Sequence, residues 1–234
     1  MKIAIIPARG GSKRIPKKNI KLFRGRPMLN YPVEAAVASG LFDHIYVSTD
    51  CNEIKDIALS LGCEVPFVRP PELSDDYVGT GPVVKHAIQW VKQNIGEPEY
   101  VCCLYPTTPF ITPELLKNGY DLLKQQREKS FAFSVGRYAF PVKRSLTFDE
   151  NNNIRMLFPE CQVSRSQDLS DVFHDAGQFY WGRTNAFLND TNTFGPDSIP
   201  VFLPRHRVMD IDDEEDWLEA EFMYDLLLKG HGKG

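Results

Sequence analysis

Ile3-Ala4-Ile5-Ile6, followed at once by Pro7-Ala8-Arg9-Gly10-Gly11-Ser12-Lys13-Arg14-Ile15-Pro16-Lys17-Lys18-Asn19, joins a short apolar run to a loop of glycines and cations. The apolar run predicts a buried strand. Glycines let backbone N–H groups approach an anion closely, and Lys and Arg side chains neutralise phosphate charge. The stretch therefore predicts a strand that ends in a polyphosphate-binding loop. It fits neither the ordinary P-loop nor the dinucleotide pattern, and a solvated basic loop, or a contact with RNA or an acidic protein, is the alternative.

Charge is divided unevenly along the chain. The first 33 residues hold nine Lys or Arg and no Asp or Glu, whereas the whole chain of 234 residues has 27 basic and 31 acidic residues and a net charge of −4. Acidic surface elsewhere would repel a nucleic-acid duplex, so the local basic block favours a small anionic partner and no nucleic acid.

Length and composition predict one cytoplasmic domain. A chain of 234 residues can bury a full core. The amino terminus is too charged for a signal peptide, and no apolar run approaches the roughly 18 residues that a membrane span needs, so we expect no membrane partner. The five cysteines are odd in number and lack CxxC spacing, which predicts reduced thiols.

Short apolar runs alternate with helix-period stretches over the first 136 residues. The runs predict strands at 3–6, 45–48, 64–68, 101–104 and 131–135, and the stretches predict helices at 31–39, 52–61, 82–94 and 113–128. Such alternation predicts a Rossmann-like α/β fold with a mostly parallel sheet and helices on both faces. Ligands of such sheets bind at the carboxyl ends of the strands, where the Arg9 loop and the loop 105–110 both fall.

The alternation breaks after Gly136. Residues 137–175 are rich in Pro, Arg, Asn and Ser, which predicts an insertion. Strands at 178–181 and 199–203 and a helix over 213–228 are expected to complete a single domain of residues 1–228. The glycine-rich tail 229–234 is expected to be mobile.

Several segments carry a family resemblance. Residues 6–19 resemble the signature of the CMP-sialic acid synthetase family, cytidylyltransferases that activate acidic 2-keto sugars. Matching segments follow in order: Val47-Ser48-Thr49-Asp50, residues 69–76 with Thr80, and Asp210-Ile211-Asp212. Within the family, residues 102–107, 164–168, 174–182 and 204–207 are most similar to members that act on pseudaminic acid.

The resemblance implies a nucleotidyltransferase reaction. It would transfer CMP from CTP to the anomeric hydroxyl of a nine-carbon acidic 2-keto sugar, with pseudaminic acid as the expected sugar, Mg²⁺ as the cofactor and pyrophosphate as the second product. Sialic, legionaminic or 3-deoxy-octulosonic acid is the alternative sugar. A catalytically silent nucleotide-binding protein of the same fold is the alternative from another functional class.

Family positions also imply the nucleotide site. Lys18 and Arg9 are the expected catalytic residues, Lys18 because a compact ammonium can stabilise charge that develops on the α-phosphate. Residues matching the triphosphate positions are Ala8, Arg9, Gly10, Gly11, Ser12, Lys13, Lys18 and Asn19. The other residues matching nucleotide-binding positions are Arg69, Thr80, Tyr105, Pro106 and Thr107, and base recognition is expected near the loop that begins at Tyr105. Similar synthetases typically carry Gln in place of Tyr105, so packing and ligand contact are both open for Tyr105.

Asp210 and Asp212 are the expected metal ligands. Residues two apart in an extended segment point to the same side, and Mg²⁺ binds one or two carboxylates together with substrate phosphates and water. The alternative is that Asp212 caps the last helix, with Glu215 as its capping-box partner.

The resemblance places the sugar near the insertion. The matching residues are Lys143, Arg165, His174, Gln178 and Tyr180. Arg165 is the expected receptor for the sugar carboxylate. His174 and Asp175 differ from the sialic acid form and are expected to recognise other substituents, although a histidine bonded to its neighbour is an equal alternative. Residues 137–175 resemble a dimerisation segment that caps the partner's site, so we expect a homodimer.

Overall fold

A six-stranded sheet forms the centre of the structure, a computed structural model that describes residues 1–75 and 77–231. The strands of the described residues, six of which form this sheet, are β1 (Lys2–Pro7), β2 (Leu22–Phe23), β3 (Arg26–Pro27), β4 (His44–Ser48), β5 (Tyr100–Leu104), β6 (Phe131–Arg137), β7 (Leu146–Phe148), β8 (Ile154–Met156), β9 (Phe173–Arg183) and β10 (Ser198–Phe202). The helices are α1 (Asn30–Ser39), α2 (Asn52–Ser60), α3 (Thr80–Asn94), α4 (Pro113–Gln125), α5 (Thr184–Leu188) and α6 (Glu214–His231). No helix among the described residues is long and apolar enough to span a bilayer.

Strand order in the sheet is β10-β6-β9-β5-β1-β4. β1 pairs in parallel with β4 and β5, and β6 pairs in parallel with β10, whereas β9 is antiparallel to both of its neighbours. The predicted mostly parallel sheet is therefore confirmed. Because β1 is internal, the loop after Pro7 emerges beside the carboxyl ends of β4 and β5.

The core lies on both faces of this sheet. Ile6, Val47 and Leu104 are buried in one cluster with residues of α1, α2 and α4. Ile5 and Val101 are buried in a second cluster under α3. Strands covered on both faces need apolar residues on both faces, which explains their continuous rather than alternating apolar runs.

Most predicted bounds differ from the structure by one or two residues, but β9 begins at Phe173, five residues before the expected strand, and three other elements also differ more clearly. The strand expected at 64–68 is wrong: only Glu64 makes an isolated bridge, to Tyr46, and Pro66 lacks the N–H that a longer ladder would need. Helix α4 ends at Gln125, three residues before the expected end. Helix α6 continues to His231, and residues 232–234 of the expected mobile tail lie outside the described residues.

The segment between β6 and β9 projects from the sheet. It leaves and returns at the paired residues Arg137 and Phe173 and contains the short ribbon β7–β8. Several of its apolar side chains are exposed. They are Tyr138, Phe140, Leu146, Phe148, Ile154, Leu157 and Val163.

A bulge interrupts β9. Phe133 pairs with Tyr180 and Val135 pairs with Asp175, so four residues of β9 lie opposite the single residue Ser134. The buried Ser134 Oγ accepts the amide protons of Gln178 (3.1 Å) and Phe179 (3.2 Å). Gly177 lies at φ +60° within the bulge. Ser134 thus satisfies backbone groups that the sheet ladder leaves unpaired.

Candidate active site

The loop after β1 folds back on the strand ends. Ala8 donates its amide proton to the Ser48 carbonyl (2.9 Å), and the buried Asn19 donates through Nδ2 to the Arg9 carbonyl (2.9 Å). Ile15 is fully buried in a cluster with Ile211 and Trp217. These contacts fix the loop at both ends and leave Ser12 and Lys13 between them. Asn19 therefore shapes the loop from beneath.

Gly10 is needed for close approach. A Cβ at this position would lie 2.9 Å from the Cys51 Cβ, so a larger residue would push the loop away from α2. The Gly10 amide, expected to bind the triphosphate, donates instead to the Asp50 Oδ1 (2.8 Å). Arg9 Nη1 donates to the Asp75 carbonyl (2.8 Å).

Lys18 lies between the loop and the Asp210–Asp212 segment. Its Nζ donates to the Ile211 carbonyl (2.5 Å) and lies 3.6 Å from the Asp212 Oδ1. The buried Ile211 side chain anchors this segment, while the carboxylates on either side of it, Asp210 and Asp212, remain accessible. The structure therefore brings the expected catalytic lysine and one expected metal ligand together from opposite ends of the sequence.

The two aspartates suit a hard divalent cation. Partial burial of the carboxyl, and then the nearby Asp212 carboxylate, raise the pKa of Asp210 above its ordinary value, while Lys18 opposes this shift. Two carboxylates with a substrate phosphate form the donor set that Mg²⁺ prefers, so the residues present fit the ion. In the structure Asp212 Oδ1 is paired with Arg14 Nη2 (2.7 Å).

The cap of α6 lies one residue later than expected. Asp213 Oδ1 accepts the amide protons of Glu215 (2.9 Å) and Asp216 (3.0 Å). Asp216 Oδ2 accepts the Asp213 amide (3.1 Å) in return. This is a reciprocal capping box, so Asp212 is not the side-chain cap, and its carboxylate remains directed to Arg14 and Lys18.

A cavity of about 230 Å³ opens beside the loop, and Arg9, Arg69, Thr80, Tyr105 and Pro106 are among its lining residues. Arg69 is only 3% exposed and donates through Nη2 to the Ser48 carbonyl (2.5 Å). Burial lowers the pKa of Arg69 to about 10, so the guanidinium remains charged at neutral pH. Four of the five further nucleotide-binding residues expected from the sequence thus line a space next to Arg9, and Thr107 is not among its lining residues.

A second cavity, of about 470 Å³, adjoins the first. Thr80 and Tyr105 line both cavities, and their hydroxyl oxygens are 3.1 Å apart. Asp175 and Tyr180 line the second cavity, where the Tyr180 hydroxyl donates to Asp175 Oδ2. Tyr105 packs against Tyr180 with ring centroids 5.5 Å apart and also lines both cavities, so a contact with the ligand stays a prediction.

The remaining residues assigned to the sugar lie elsewhere. Lys143 Nζ contacts Ser170 Oγ (2.6 Å), and Arg165 Nε contacts Asp168 (3.1 Å), both on the exposed insertion. His174 Nδ1 is 2.8 Å from the Asp175 carbonyl oxygen and lines a neighbouring cavity of about 300 Å³. Gln178 is 1% exposed, and its Nε2 donates to the Arg207 carbonyl. Within one chain the structure brings only Tyr180 of the five to the larger cavity.

Three contributors were not assigned from the sequence. Arg14 was one cation among many, and only the fold shows that it pairs with Asp212. Asp50 lies in the matched Val47-Ser48-Thr49-Asp50 segment, which could have suggested a role at the loop. Ser134 carries no local signal, since its part in the bulge depends on residues 44 and 45 positions away.

Comparisons with known proteins agree with this geometry. The family described as Cytidylyltransferase matches residues 3–208. A pseudaminic acid cytidylyltransferase of Campylobacter jejuni is 42% identical over 95% of this chain and 95% of its own length. A CMP-N,N'-diacetyllegionaminic acid synthase of Legionella pneumophila is 27% identical over 96% of each chain.

Solved structures show the same fold. A CMP:2-keto-3-deoxy-manno-octonic acid synthetase solved in complex with CTP has a TM-score of 0.69 and 15% identity, covering 96% of this chain and 98% of its own. The match over residues 3–208 includes the glycine loop, the strand ends and both cavities. The chain is therefore an enzyme that belongs to the cytidylyltransferase family.

Proposed function

We propose that this enzyme transfers CMP from CTP to the anomeric hydroxyl of pseudaminic acid. One observation carries the proposal: two adjoining cavities at the carboxyl edge of the sheet share Thr80 and Tyr105, and Arg9 lines only the smaller one. A base near Arg69 and a sugar beside Tyr180 would meet at this boundary. The volume of about 470 Å³ lies within the range of small-molecule sites. The 42% identity to the Campylobacter jejuni enzyme favours pseudaminic acid as the sugar.

Positioning and charge stabilisation supply most of the chemistry. The anomeric oxygen attacks the α-phosphorus, the bond to the bridging oxygen of the pyrophosphate breaks, and pyrophosphate leaves with the electron pair while the hydroxyl loses its proton. Arg9 and Lys13 would hold the triphosphate, together with the Gly11 and Ser12 backbone. Lys18 would stabilise the negative charge that develops on the α-phosphate. Its Nζ is already held in position by the Ile211 carbonyl.

Asp210 and Asp212 would hold the metal ion. Mg²⁺ supplies neutralisation of phosphate charge when it is bound. Arg14 would have to release Asp212 for this, since the two are 2.7 Å apart. The freed guanidinium would remain near the phosphates that accompany the ion.

A second copy would complete the sugar site. Arg165 and Lys143 lie on the insertion, where 77% of the Arg165 side chain is exposed and Lys143 lines a separate cavity of about 200 Å³. Neither residue lines the larger cavity of its own chain. The exposed apolar residues of the same segment favour burial against another subunit. We propose a homodimer in which each insertion covers the partner's cavity, and we place the reaction in the cytoplasm with its substrate CTP.

Pyrophosphate release tests the proposal. Purified protein with CTP and Mg²⁺ is offered pseudaminic acid, N-acetylneuraminic acid or 3-deoxy-octulosonic acid under identical conditions. We expect turnover with pseudaminic acid and at least tenfold lower kcat/KM with the others. Preference for another acid would move the specificity and keep the reaction. If CTP binds but no acid is consumed, the proposed reaction is wrong.

A further inference from the structure

The larger cavity has an acidic wall, although its proposed ligand is an acid. Among the described residues that line it, the charged ones are Asp175 and Asp190, and no Lys or Arg is present. Lys85 Nζ neutralises Asp190 at 2.7 Å. Asp175 is bonded to neutral donors, the Tyr180 hydroxyl and the Gly177 amide (3.0 Å). Asp175 is therefore the carboxylate that a ligand in this cavity would meet.

The bulge in β9 is what brings Asp175 there. Without it, Asp175 and Tyr180, five positions apart, would lie on opposite faces of the strand and about 16 Å apart. Three extra residues, the positive φ of Gly177 and the buried Ser134 fold the strand so that the two side chains touch. Bulges beside active sites commonly redirect a side chain in this way. The fold thus devotes a buried polar residue to presenting this carboxylate.

Charge determines which end of the sugar Asp175 can face. A sugar carboxylate placed near it would be repelled by the like charge, so that end must lie toward the opening and the basic loop. The end that faces Asp175 must carry a hydrogen-bond donor, because an ionised carboxylate only accepts. Burial raises the pKa of Tyr180, and its bond to Asp175 adds to the shift, so its hydroxyl stays protonated and keeps Asp175 in place.

The aromatic walls beside Asp175 indicate which kind of ligand group donates the hydrogen bond. Phe131, Phe187 and Phe194 line the same cavity as Asp175. An acceptor beside aromatic side chains is complementary to an N-acyl group, whose N–H donates while its methyl group packs on apolar surface. A hydroxyl would satisfy Asp175 but leave the aromatic walls without a partner.

We propose that Asp175, held by Tyr180 and the Ser134 bulge, is a specificity-determining residue that accepts a hydrogen bond from an amide N–H of an N-acylated acidic sugar. This inference rests on the proposed function and deepens it. It fixes the orientation of the sugar, with the acyl end inward and the carboxylate outward. Sugars with a hydroxyl at that end can still donate to Asp175, but they bring no methyl group to the aromatic walls.

Steady-state kinetics of Asp175→Asn tests the role. Asparagine keeps an oxygen for the Gly177 amide and removes the charge. We expect the KM for pseudaminic acid to rise roughly ten- to hundredfold, as for loss of a charged hydrogen-bond acceptor, with the KM for CTP and the melting temperature unchanged. Tyr180→Phe should raise the same KM less, and the double variant should show less than the product of the two effects, because the pair acts as a unit.

A matched control and a second ligand make the outcomes distinct. Glu97→Gln removes a carboxylate from an exposed pair with Lys92 at the opposite edge of the sheet and should change neither KM. Inhibition by 3-deoxy-octulosonic acid, which has no amide, should weaken less in Asp175→Asn than the binding of pseudaminic acid does. An unchanged KM for pseudaminic acid in Asp175→Asn would overturn the inference and leave the reaction standing. A wild type that binds CTP but none of the acids would overturn both.

Discussion

Lys18 shows how one side chain connects two parts of the site. Its Nζ contacts the Ile211 carbonyl and approaches Asp212, so a single ammonium lies between the phosphate loop and the proposed metal ligands. Only 18% of the side chain is exposed, and its position is therefore fixed before substrate binds. Such preorganised charge is what makes electrostatic stabilisation of a transition state effective.

Removing this ammonium should slow the chemical step. We expect Lys18→Ala to lower kcat by at least about a hundredfold, equivalent to about 3 kcal/mol of barrier, with circular dichroism unchanged. The pyrophosphate-release assay measures this directly. Lys17→Ala is the matched control, since Lys17 is exposed and pairs only with the exposed Glu53. Near-normal kcat in Lys18→Ala would remove Lys18 from the catalytic residues.

Asp212 should govern the metal requirement. In Asp212→Asn one anionic ligand is lost, so we expect the Mg²⁺ concentration for half-maximal rate to rise at least about tenfold. Thermal shift with CTP, with and without Mg²⁺, gives a second measure that does not depend on turnover. The metal-dependent part of the shift should shrink in the variant. A metal dependence identical to that of the wild type would show that Asp212 is not a ligand.

At the scale of elements, the phosphate loop and the last helix share one core cluster. Ile15 from the loop and Ile211, which lies between the two proposed metal ligands, are buried together with Trp217 of α6. Surface ion pairs join the same two regions, Lys21 with Glu214 and Arg24 with Asp225. The apolar contacts carry the stability, since exposed pairs contribute little.

Truncating Ile15 should therefore weaken the whole fold. Its side chain is fully buried, and we expect Ile15→Ala to lower the free energy of unfolding by about 2–4 kcal/mol. Urea denaturation followed by fluorescence measures the loss. Ile15→Val should cost about 1 kcal/mol. Equal stability of Ile15→Ala and the wild type would show that the loop is not anchored by this residue.

The corrected helix cap gives a test with its own control. Asp213 accepts two amide protons at the start of α6, so Asp213→Ala should lower the free energy of unfolding by about 1 kcal/mol. Glu215→Ala should have a much smaller effect, because the reciprocal partner is Asp216. The opposite ranking in thermal unfolding would restore the cap that the sequence suggested.

Sequence patterns predicted the elements whose cause is local. The buried strands follow from runs such as residues 3–6 and 101–104, because burial on both faces selects continuous apolar residues. The wrong strand at 64–68 also contains several apolar residues, but Pro66 lacks the N–H that further pairing with β4 would need. The direction of β9 and its bulge could not be predicted, since they depend on Ser134 in a distant strand.

At the scale of the whole molecule, the insertion is the surface that we propose to bind a second subunit. Phe148 on β7 is 62% exposed, and Phe222 on α6 is 61% exposed. Only the first lies on the same segment as Arg165 and Lys143, which the proposed sugar site needs. Composition predicted the insertion, but which cavity its charged residues would serve in the proposed homodimer cannot be predicted from a local pattern.

Because Phe148 lies on the insertion and Phe222 does not, variants at these two residues can test the proposed homodimer. We expect sedimentation to give twice the chain mass of 26.7 kDa. Phe148→Glu should shift the equilibrium toward monomer, because a charge buried at an interface is costly, and should lower kcat/KM for the sugar. Phe222→Glu, with equal exposure, should leave both unchanged. A monomeric wild type would contradict the proposed homodimer.

The contact between Lys18 and Ile211 spans 193 positions of sequence, and this has a consequence for how the enzyme is made. During translation the glycine loop therefore leaves the ribosome long before the paired aspartates. We expect chains that terminate before Asp210 to lack both proposed metal ligands and therefore the activity.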